Sequence, residues 1–207
     1  MDTYVTLATP AESQFTEKRS RFLAFACHVG SEEEAKEVVA SYKKRFYDAR
    51  HVCYAYVTGN HGEHTRANDD GEPSGTAGRP ILGQLQSRGL TYALVVVVRY
   101  FGGVKLGTGP LGVAYKTSAS DVLDLCEQLK CIMKTEFRVD VPYADADVDV
   151  AMRFIREAGA DITQRDYTDR GTILTVSIRL DDESALRERL SKILSLSFLK
   201  DEAASEE

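Results

Sequence analysis

The chain lacks long hydrophobic runs, paired cysteines and a secretory leader. Its longest apolar run, Ala93 to Val98, is far too short to span a bilayer. The four cysteines form no C-x-x-C pair, which in a chain of 207 residues is typical of reduced thiols in a cytosolic protein. The N-terminal residues have neither the basic region nor the apolar core of a signal peptide. These absences predict a soluble cytoplasmic protein without a membrane partner.

Acidic residues are missing from residues 73–120. The whole chain carries a formal net charge of -6, which disfavours non-specific nucleic-acid binding over its entire surface. The acid-free segment carries +5 and the rest of the chain -11. Its five cations are Arg79, Arg88, Arg99, Lys105 and Lys116. This distribution is compatible with a local anion site on an acidic protein.

Glycine is rare outside one region, since twelve of the fifteen glycines lie between Gly59 and Gly112. They concentrate in DDGEPSGTAGRPILG, which starts at Asp69, and in RYFGGVKLGTGPLG, which starts at Arg99. Each segment leads into a predicted helix, near Pro80 and Pro110. A glycine loop before a helix presents unpaired N–H groups and the positive end of the helix dipole to an anion. The alternative is that these glycines only permit tight turns and close packing.

Hydrophobic periodicity predicts an α+β protein with two domains, residues 1–133 and 134–207. In the first domain the predicted strands are Arg21–Val29, His51–Thr58 and Tyr92–Arg99, and the predicted helices are Ser31–Phe46, one from Pro80 to near Gly89, and one from Pro110. The polar stretch 59–78 is predicted as a long functional or disordered loop. In the second domain we expect strand Met133–Val141, helix Asp145–Ala158, strands Asp161–Tyr167 and Thr172–Leu180, helix Asp182–Leu194 and strand Ser195–Leu199. This β-α-β-β-α-β order predicts a ferredoxin-like unit, followed by a frayed acidic tail.

The sequence GTGPLG, residues 107–112, matches the dinucleotide-binding pattern G-x-G-x-x-G. That fingerprint requires its first glycine directly after a strand and an acid at the end of a second strand. Here the predicted strand ends near Arg99, and Asp124 lies on a predicted helix. The context therefore argues against a Rossmann site.

Three carboxylates surround one glycine in the sequence DDGE. Asp69 and Asp70 could ligate Mg²⁺ together with substrate phosphates. Alternatively, the carboxylates hold the loop through Asx turns and pair with Arg79 or Arg99. The second interpretation is favoured, and magnesium stays as an alternative.

Histidines and a cysteine cluster without forming a recognisable metal motif. His51, Cys53, His61 and His64 lie within fourteen residues, but they lack the paired spacing of a closed zinc site. His51 is expected near the glycine loops. Sequences of the G-x-S-x-G, H-E-x-x-H and Walker types are absent, so neither catalytic residues nor metal ligands are assigned.

Four segments of the chain are distinctive: EKRSRFLAF (17–25), ARHVCYAYV (49–57), NDDGEPSGTAGRPIL (68–82) and VVVVRYFGGVKLGTGPLGVAY (95–115). Together they resemble the YigZ/IMPACT family in its bacterial two-domain form. The resemblance implies a first domain similar to the second domain of ribosomal protein S5. It implies a second domain similar to domain V of elongation factor G. The eukaryotic relative regulates translation through protein partners, so the resemblance implies a role close to the translation apparatus.

The motif match also implies a site. Its positions are Asp69, Asp70, Gly71, Glu72, Arg79, Arg99, Tyr100, Gly102, Gly103, Leu106 and Gly107, with His51 nearby. With the basic segment added, the predicted anion-binding or RNA-binding residues are Arg79, Arg99, Tyr100, Gly102, Gly103, Lys105, Gly107, Gly109 and Lys116. We expect both glycine loops to face one hollow.

Three functions follow from these observations. The first is a translation-associated protein that binds RNA phosphates, or a ribosomal or translation-factor partner. The second is a Mg²⁺-dependent enzyme acting on a nucleotide or a phosphorylated small molecule. The third is a protein–protein adaptor.

Overall fold

The computed structural model describes residues 2–143 and 145–199 and divides the chain into two compact units. The first unit is Thr3–Cys131, and the second begins at Ile132 and includes Asp2. Each unit has its own hydrophobic core. The described residues contain five α-helices and several sheets, so the protein is of mixed α/β type. The predicted frayed tail lies outside the described residues.

The first unit contains seven strands and three α-helices among its described residues. They are β1 (Thr3–Leu7), β2 (Ala11–Glu17), β3 (Ser20–His28), α1 (Glu32–Arg45), β4 (His51–Thr58), β5 (His64–Asn68), α2 (Gly78–Ser87), β6 (Ala93–Tyr100), α3 (Thr108–Leu125) and β7 (Gln128–Ile132). Five strands form an antiparallel sheet in the order β2-β3-β6-β4-β5. The strands β1 and β7 pair as a separate two-stranded sheet.

The central strand β6 is buried on both faces, as its run of β-branched residues predicts. Its side chains alternate between two clusters because neighbouring residues of a strand point to opposite faces. Val95 and Val97 join the cluster that includes residues of α2 and α3. Val96 and Val98 join the cluster that includes residues of α1. The sheet is therefore covered by helices on both sides.

The helices of the first unit begin where the sequence indicates. Ser31 caps α1, and its Oγ accepts a hydrogen bond from the N–H of Glu34 at 3.2 Å. The Glu34 carboxylate reaches back to the N–H of Gly30 at 2.6 Å, so a capping box is present with its return bond one residue earlier. Pro80 and Pro110 each occupy the third position of their helix, where an absent N–H costs no helical hydrogen bond.

Four strands of the first unit were not predicted. Strand β5 lies within the segment 59–78 that was expected to be one loop, so that expectation is wrong for His64–Asn68. Strands β1, β2 and β7 also escaped prediction. Strands β2 and β5 are the edges of the large sheet, and most of their residues are exposed or half-buried. They therefore lack the apolar pattern that marks a buried strand.

The second unit has the predicted β-α-β-β-α-β order. Its elements are β8 (Lys134–Pro142), α4 (Asp145–Glu157), β9 (Asp161–Tyr167), β10 (Gly171–Arg179), a short 3₁₀ turn (Leu180–Asp182), α5 (Glu183–Leu190) and β11 (Ser197–Phe198). The four strands form an antiparallel sheet in the order β11-β8-β10-β9. Residues of both helices join residues of the sheet in one core. Within the described residues, helices long and apolar enough to cross a membrane do not occur.

Candidate functional site

A cavity of about 460 Å³ lies in the first unit, where the two glycine-rich segments meet the ends of β4 and β6. It is lined by Arg50, His51, Gly71, Glu72, Pro73, Arg99, Phe101, Lys105, Leu106, Gly107, Thr108 and Leu111. The register of the sheet explains part of this convergence, because His51 at the start of β4 pairs with Arg99 near the end of β6. The cavity lies in the volume range of small-ligand sites.

A buried ion pair forms one wall of the cavity. Glu72 accepts a hydrogen bond from Nη1 of Arg99 at 2.6 Å, and the two side chains are only 4% and 6% exposed. The same Glu72 oxygen accepts a hydrogen bond from the Tyr115 hydroxyl at 2.8 Å. A buried charge is stable only when it is paired and hydrogen-bonded. This pair therefore ties the first glycine-rich segment to the start of the second.

The guanidinium of Arg99 is held by further contacts. Its Nη2 donates to Oγ of Ser20 at 3.3 Å. Its central carbon lies 5.5 Å from the ring centre of Phe22 and 5.6 Å from that of Phe101. Among the described residues, the buried Nε of Arg99 finds no hydrogen-bond partner. Arg99 thus lines the cavity with one donor still unused.

Tyr115 and Cys53 form the base of this polar cluster. Burial raises the pKa of the Tyr115 phenol, so the hydroxyl keeps its proton and donates to Glu72. Burial also raises the pKa of the Cys53 thiol, which lies 3.0 Å from the carbonyl oxygen of Asp69 and 3.4 Å from the Tyr115 hydroxyl. A thiol with a raised pKa is a poor nucleophile. Cys53 therefore acts as a structural donor.

His51 is oriented by the first glycine-rich segment. Its Nδ1 lies 2.9 Å from the carbonyl oxygen of Asp70, and a carbonyl only accepts, so Nδ1 carries a proton. Its Nε2 lies 3.9 Å from Oε2 of Glu72. Gly71 passes close to this ring, because a Cβ built there would lie 3.6 Å from Nδ1. His51 is therefore a fixed part of the cavity wall.

The N-terminus of α2 is occupied by a side chain of the protein itself. Oδ1 of Asp69 accepts from the N–H groups of Ala77 and Gly78 at 2.9 and 2.8 Å, and Oδ2 accepts from Gly75 at 2.8 Å. Burial by itself would raise the pKa of Asp69, but these three donors outweigh burial and lower it. The expectation of free amides at α2 is wrong, because an internal carboxylate already takes the place of the anion.

Asp70 braces the same loop from the other side. Its Oδ2 accepts from the N–H of Val52 at 2.7 Å and its Oδ1 from Nζ of Lys43 at 2.6 Å. Its own N–H donates to Oδ1 of Asn68 at 2.9 Å, as in an Asx turn. Asp70 also adopts a positive φ of 42°. The interpretation in which the DDGE carboxylates hold the loop and pair with an arginine is confirmed, with Glu72 as the residue that pairs.

The N-terminus of α3 is open by comparison. Its cap residue, Gly107, has a φ of 81°, and a side-chain cap is lacking among the described residues. Acidic residues are absent from the first turn of α3. Gly107 and Thr108 line the cavity, so the positive end of this helix is exposed to it.

Gly102 is required for a different reason. A Cβ at this position would lie 2.0 Å from the carbonyl carbon of Arg19, closer than real side chains approach. The absence of a side chain allows the loop to pass over the turn before β3, and the N–H of Gly102 donates to Oγ of Ser20 at 3.3 Å. Gly102 is therefore needed for close packing, as the structural alternative for the glycines predicts.

A family model decides the identity of the first unit. The model of the Impact N-terminal domain matches residues 18–123, which is more than half of the chain. The chain belongs to the IMPACT family. The match contains the residues that form the cavity.

Individual relatives agree with this assignment. The IMPACT family member YvyE of Bacillus subtilis (strain 168) is 44% identical over 124 residues, which cover 60% of this chain and 57% of that protein. The IMPACT family member YigZ of Escherichia coli (strain K12) is 37% identical over 145 residues, covering 69% and 71%. A crystal structure described as a hypothetical protein has a TM-score of 0.74 at 30% identity and covers 98% of each chain. The present chain thus covers just over half of the length of YvyE.

The cavity brings together only some of the predicted site residues. Those that line it are His51, Gly71, Glu72, Arg99, Lys105, Leu106 and Gly107. Those that lie outside its lining are Asp69, Asp70, Arg79, Tyr100, Gly102, Gly103, Gly109 and Lys116. Tyr100 faces away from Arg99 on β6 and donates its hydroxyl to Asp48 at 2.9 Å. Arg79 and Lys116 are exposed on α2 and α3. A binding role for each of these residues stays a prediction.

Several wall residues of this IMPACT-family site were not predicted. Arg50 and Phe101 line the cavity, while Tyr115 and Ser20 hold the Glu72–Arg99 pair. Ser20 lies 79 residues before Arg99, and only the pairing of β3 with β6 brings them together. Arg50 could have been found from its position next to the strand that carries His51.

The residues present do not suit a metal ion. Each carboxylate oxygen of Asp69 and Asp70 already accepts a hydrogen bond from a main-chain N–H or from Lys43. Within the described ranges, no group of three His, Cys, Asp or Glu side chains is arranged to hold a metal. Magnesium at Asp69 and Asp70 stays an untested prediction, and it would have to displace these donors.

Proposed function

We propose that this IMPACT-family chain is a translation-associated regulatory protein whose first unit binds RNA phosphates through the cavity between the two glycine-rich segments. The observation that carries the proposal is the convergence of Arg50, Lys105 and the uncapped N-terminus of α3 on one cavity. Cationic side chains and helix N-termini are the groups that proteins use to hold phosphates. The family resemblance supports the connection to translation.

The charge of the cavity supports an anionic ligand. Among the described residues that line it, Glu72 is the only acid, and Arg99 pairs with it at 2.6 Å. The side chains of Arg50 and Lys105 have no ion-pair partner among the described residues. Two positive charges and the dipole of α3 are therefore left for a ligand.

We also infer the domain types that the family resemblance implies. The first unit has a mixed sheet-and-helix fold that we assign to the class of the second domain of ribosomal protein S5. The second unit has the element order and the strand order β11-β8-β10-β9 of a ferredoxin-like fold, and we assign it to the type of domain V of elongation factor G.

The proposal is tested by neutralising the two unpaired cations. A variant with Arg50→Gln and Lys105→Gln should lose most of its association with ribosomes and ribosomal RNA in a sedimentation assay. Wild-type binding should weaken as salt rises, because phosphate binding releases counterions. The matched control carries Lys36→Gln and Lys130→Gln, which remove the same charge from exposed residues that do not line the cavity.

The outcome separates the proposal from its alternatives. Equal association of the two double variants and the wild type would contradict phosphate binding at this cavity. Association that survives RNase treatment and high salt would favour a protein–protein adaptor. A thermal shift on adding a nucleotide with Mg²⁺, but not on adding the nucleotide alone, would favour a Mg²⁺-dependent enzyme.

A further inference from the structure

The charge of the cavity suits one kind of phosphate group better than another. Its lining contains Arg50, Lys105 and the Glu72–Arg99 pair as charged groups, which leaves a surplus of two positive charges. An internal phosphodiester of RNA carries one negative charge. A terminal phosphate monoester carries between one and two near neutral pH and offers three oxygens. The surplus therefore matches a monoester better than a diester.

The donors in the cavity also match a terminal group. The first turn of α3 lacks both a side-chain cap and an acid, so its N–H groups are left for an external acceptor. Arg99 is 94% buried as a side chain, lines the same cavity, and has an Nε without a partner in the described part of the chain. The uncapped N-terminus of α3 and the two exposed cations of the lining, Arg50 and Lys105, are thus the groups left for an acceptor in the cavity.

The surroundings of the cavity favour a nucleotide as the carrier of that phosphate. Phe101 lines the cavity and is 45% exposed, so one face of an aromatic ring is available for stacking. The volume of about 460 Å³ is suited to a single small ligand. Within the lining itself, the guanidinium carbon of Arg99 lies 5.6 Å from the ring centre of Phe101. Arginine and aromatic side chains together are typical of surfaces that hold single-stranded nucleic acid.

We propose that the cavity is a receptor for the terminal phosphate monoester of a nucleotide, presented by the 5′ end of a single-stranded RNA. This inference rests on the proposed function and narrows it from phosphates in general to a chain end. The phosphate occupies the N-terminus of α3 between Arg50 and Lys105, and the first base stacks on Phe101.

The test compares two short single-stranded RNAs of the same sequence, one with a 5′-phosphate and one with a 5′-hydroxyl, each labelled at the 3′ end. Fluorescence anisotropy with the full chain should give about tenfold tighter binding for the phosphorylated RNA, since charge-assisted hydrogen bonds contribute on that scale. Uridine 5′-monophosphate should compete with the labelled RNA, and uridine should not.

Two lysine variants locate the effect. Lys105→Gln should bring the two RNAs close to equal affinity, because Lys105 lines the cavity. Lys130→Gln is the matched control: it removes the same charge from an exposed residue of β7 outside the lining, and the preference should persist. Thermal melts of both variants establish that the fold is intact.

Each result decides between the two proposals. Equal binding of the two RNAs by the wild type overturns the terminal-phosphate inference and leaves the proposed function standing. Binding of uridine 5′-monophosphate without binding of either RNA supports the receptor and overturns the proposed RNA partner. Failure of every probe to bind overturns both.

Discussion

The N-termini of α2 and α3 follow similar glycine-rich sequences but have opposite structures. At α2, the carboxylate of Asp69 accepts three main-chain N–H groups of the loop and the first turn. At α3, neither a side-chain cap nor an acid is present in the described first turn. The first terminus holds its own anion, and the second leaves the space for one from outside.

The difference shows how a sequence pattern can mislead. The acid-free segment starts at Pro73, but the carboxylate that occupies α2 comes from Asp69, a few residues before it. Charge counted along the chain therefore assigns two open anion sites where the fold leaves one. Whether a helix N-terminus is free depends on whether the preceding loop folds back and places a side chain on it.

The largest expected effect comes from Glu72, which joins the two segments. Glu72→Ala leaves the Arg99 guanidinium buried without its carboxylate, so we expect a loss of about 3–5 kcal/mol in the free energy of unfolding. Urea denaturation measures this loss. The double variant Glu72→Met with Arg99→Met should recover a large part of the loss, because it removes both charges. A single variant as stable as the wild type would contradict the pairing.

The second largest effect is expected from removing the Asp69 carboxylate from the N-terminus of α2. Asp69→Ala removes three hydrogen bonds to main-chain donors and should cost about 2 kcal/mol. It should also make α2 resemble α3, so that inorganic phosphate raises the melting temperature of the variant more than that of the wild type. Identical phosphate responses would indicate that the freed N–H groups do not form an anion site.

The same residue predicts a dependence on pH. The pKa of Asp69 is lower in the folded protein than the ordinary value of 3.8. Its contribution to stability is therefore complete above the unfolded pKa and is lost as pH falls through the folded pKa. The stability difference between the wild type and Asp69→Ala should shrink below about pH 4, in urea denaturation series at decreasing pH. A constant difference would contradict this linkage.

The free space around a glycine differs between the start of α2 and the start of α3. A Cβ at Gly78 would lie 2.4 Å from the main-chain nitrogen of Asn68, whereas a Cβ at Gly109 meets nothing within 4 Å. Gly78→Ala should destabilise the protein by about 1–3 kcal/mol through overpacking. Gly109→Ala should change the free energy of unfolding by less than about 1 kcal/mol, because helix propensity favours alanine whereas the following Pro110 disfavours a Cβ in the helical conformation. Thermal or urea unfolding measures both variants, and a larger loss at Gly109 than at Gly78 would contradict the difference in packing.

The smallest effect comes from giving α3 an internal anion. Thr108→Asp places a carboxylate in the first turn of α3 and should stabilise the protein by about 0.5 kcal/mol through the helix dipole. The same change should abolish the preference for a 5′-phosphorylated RNA. Thr108→Asn, which has a similar shape without the charge, should retain that preference. Loss of the preference in both variants would indicate a steric effect instead of an electrostatic one.

How well a strand can be predicted from the sequence depends on its position in the sheet. Strand β6, at the centre, shows its burial in a run of apolar β-branched residues and was predicted almost to the residue. Strand β5, at the edge, reads HTRAN and has no apolar periodicity. Its strand conformation is fixed by hydrogen bonds to β4, which its own sequence does not indicate. Edge strands depend on a neighbour, and a local pattern cannot contain that neighbour.

The predictability of the site follows the same rule. Residue type and spacing identified the glycine loops, Arg99 and Lys105 as parts of one region. The partner of Arg99 was limited to a few nearby acids, and the structure selects Glu72. The contributions of Tyr115 and Ser20 come from elements far along the chain, so only the packed fold reveals them.

The pairing of β1 with β7 has a consequence for the order in which the protein can be completed during synthesis. Strand β1 precedes the other described strands of the first unit, and its partner β7 follows them all. Until β7 has been synthesised, β1 has an unsatisfied row of main-chain groups. The small sheet can therefore form only after the intervening part of the first unit has been translated.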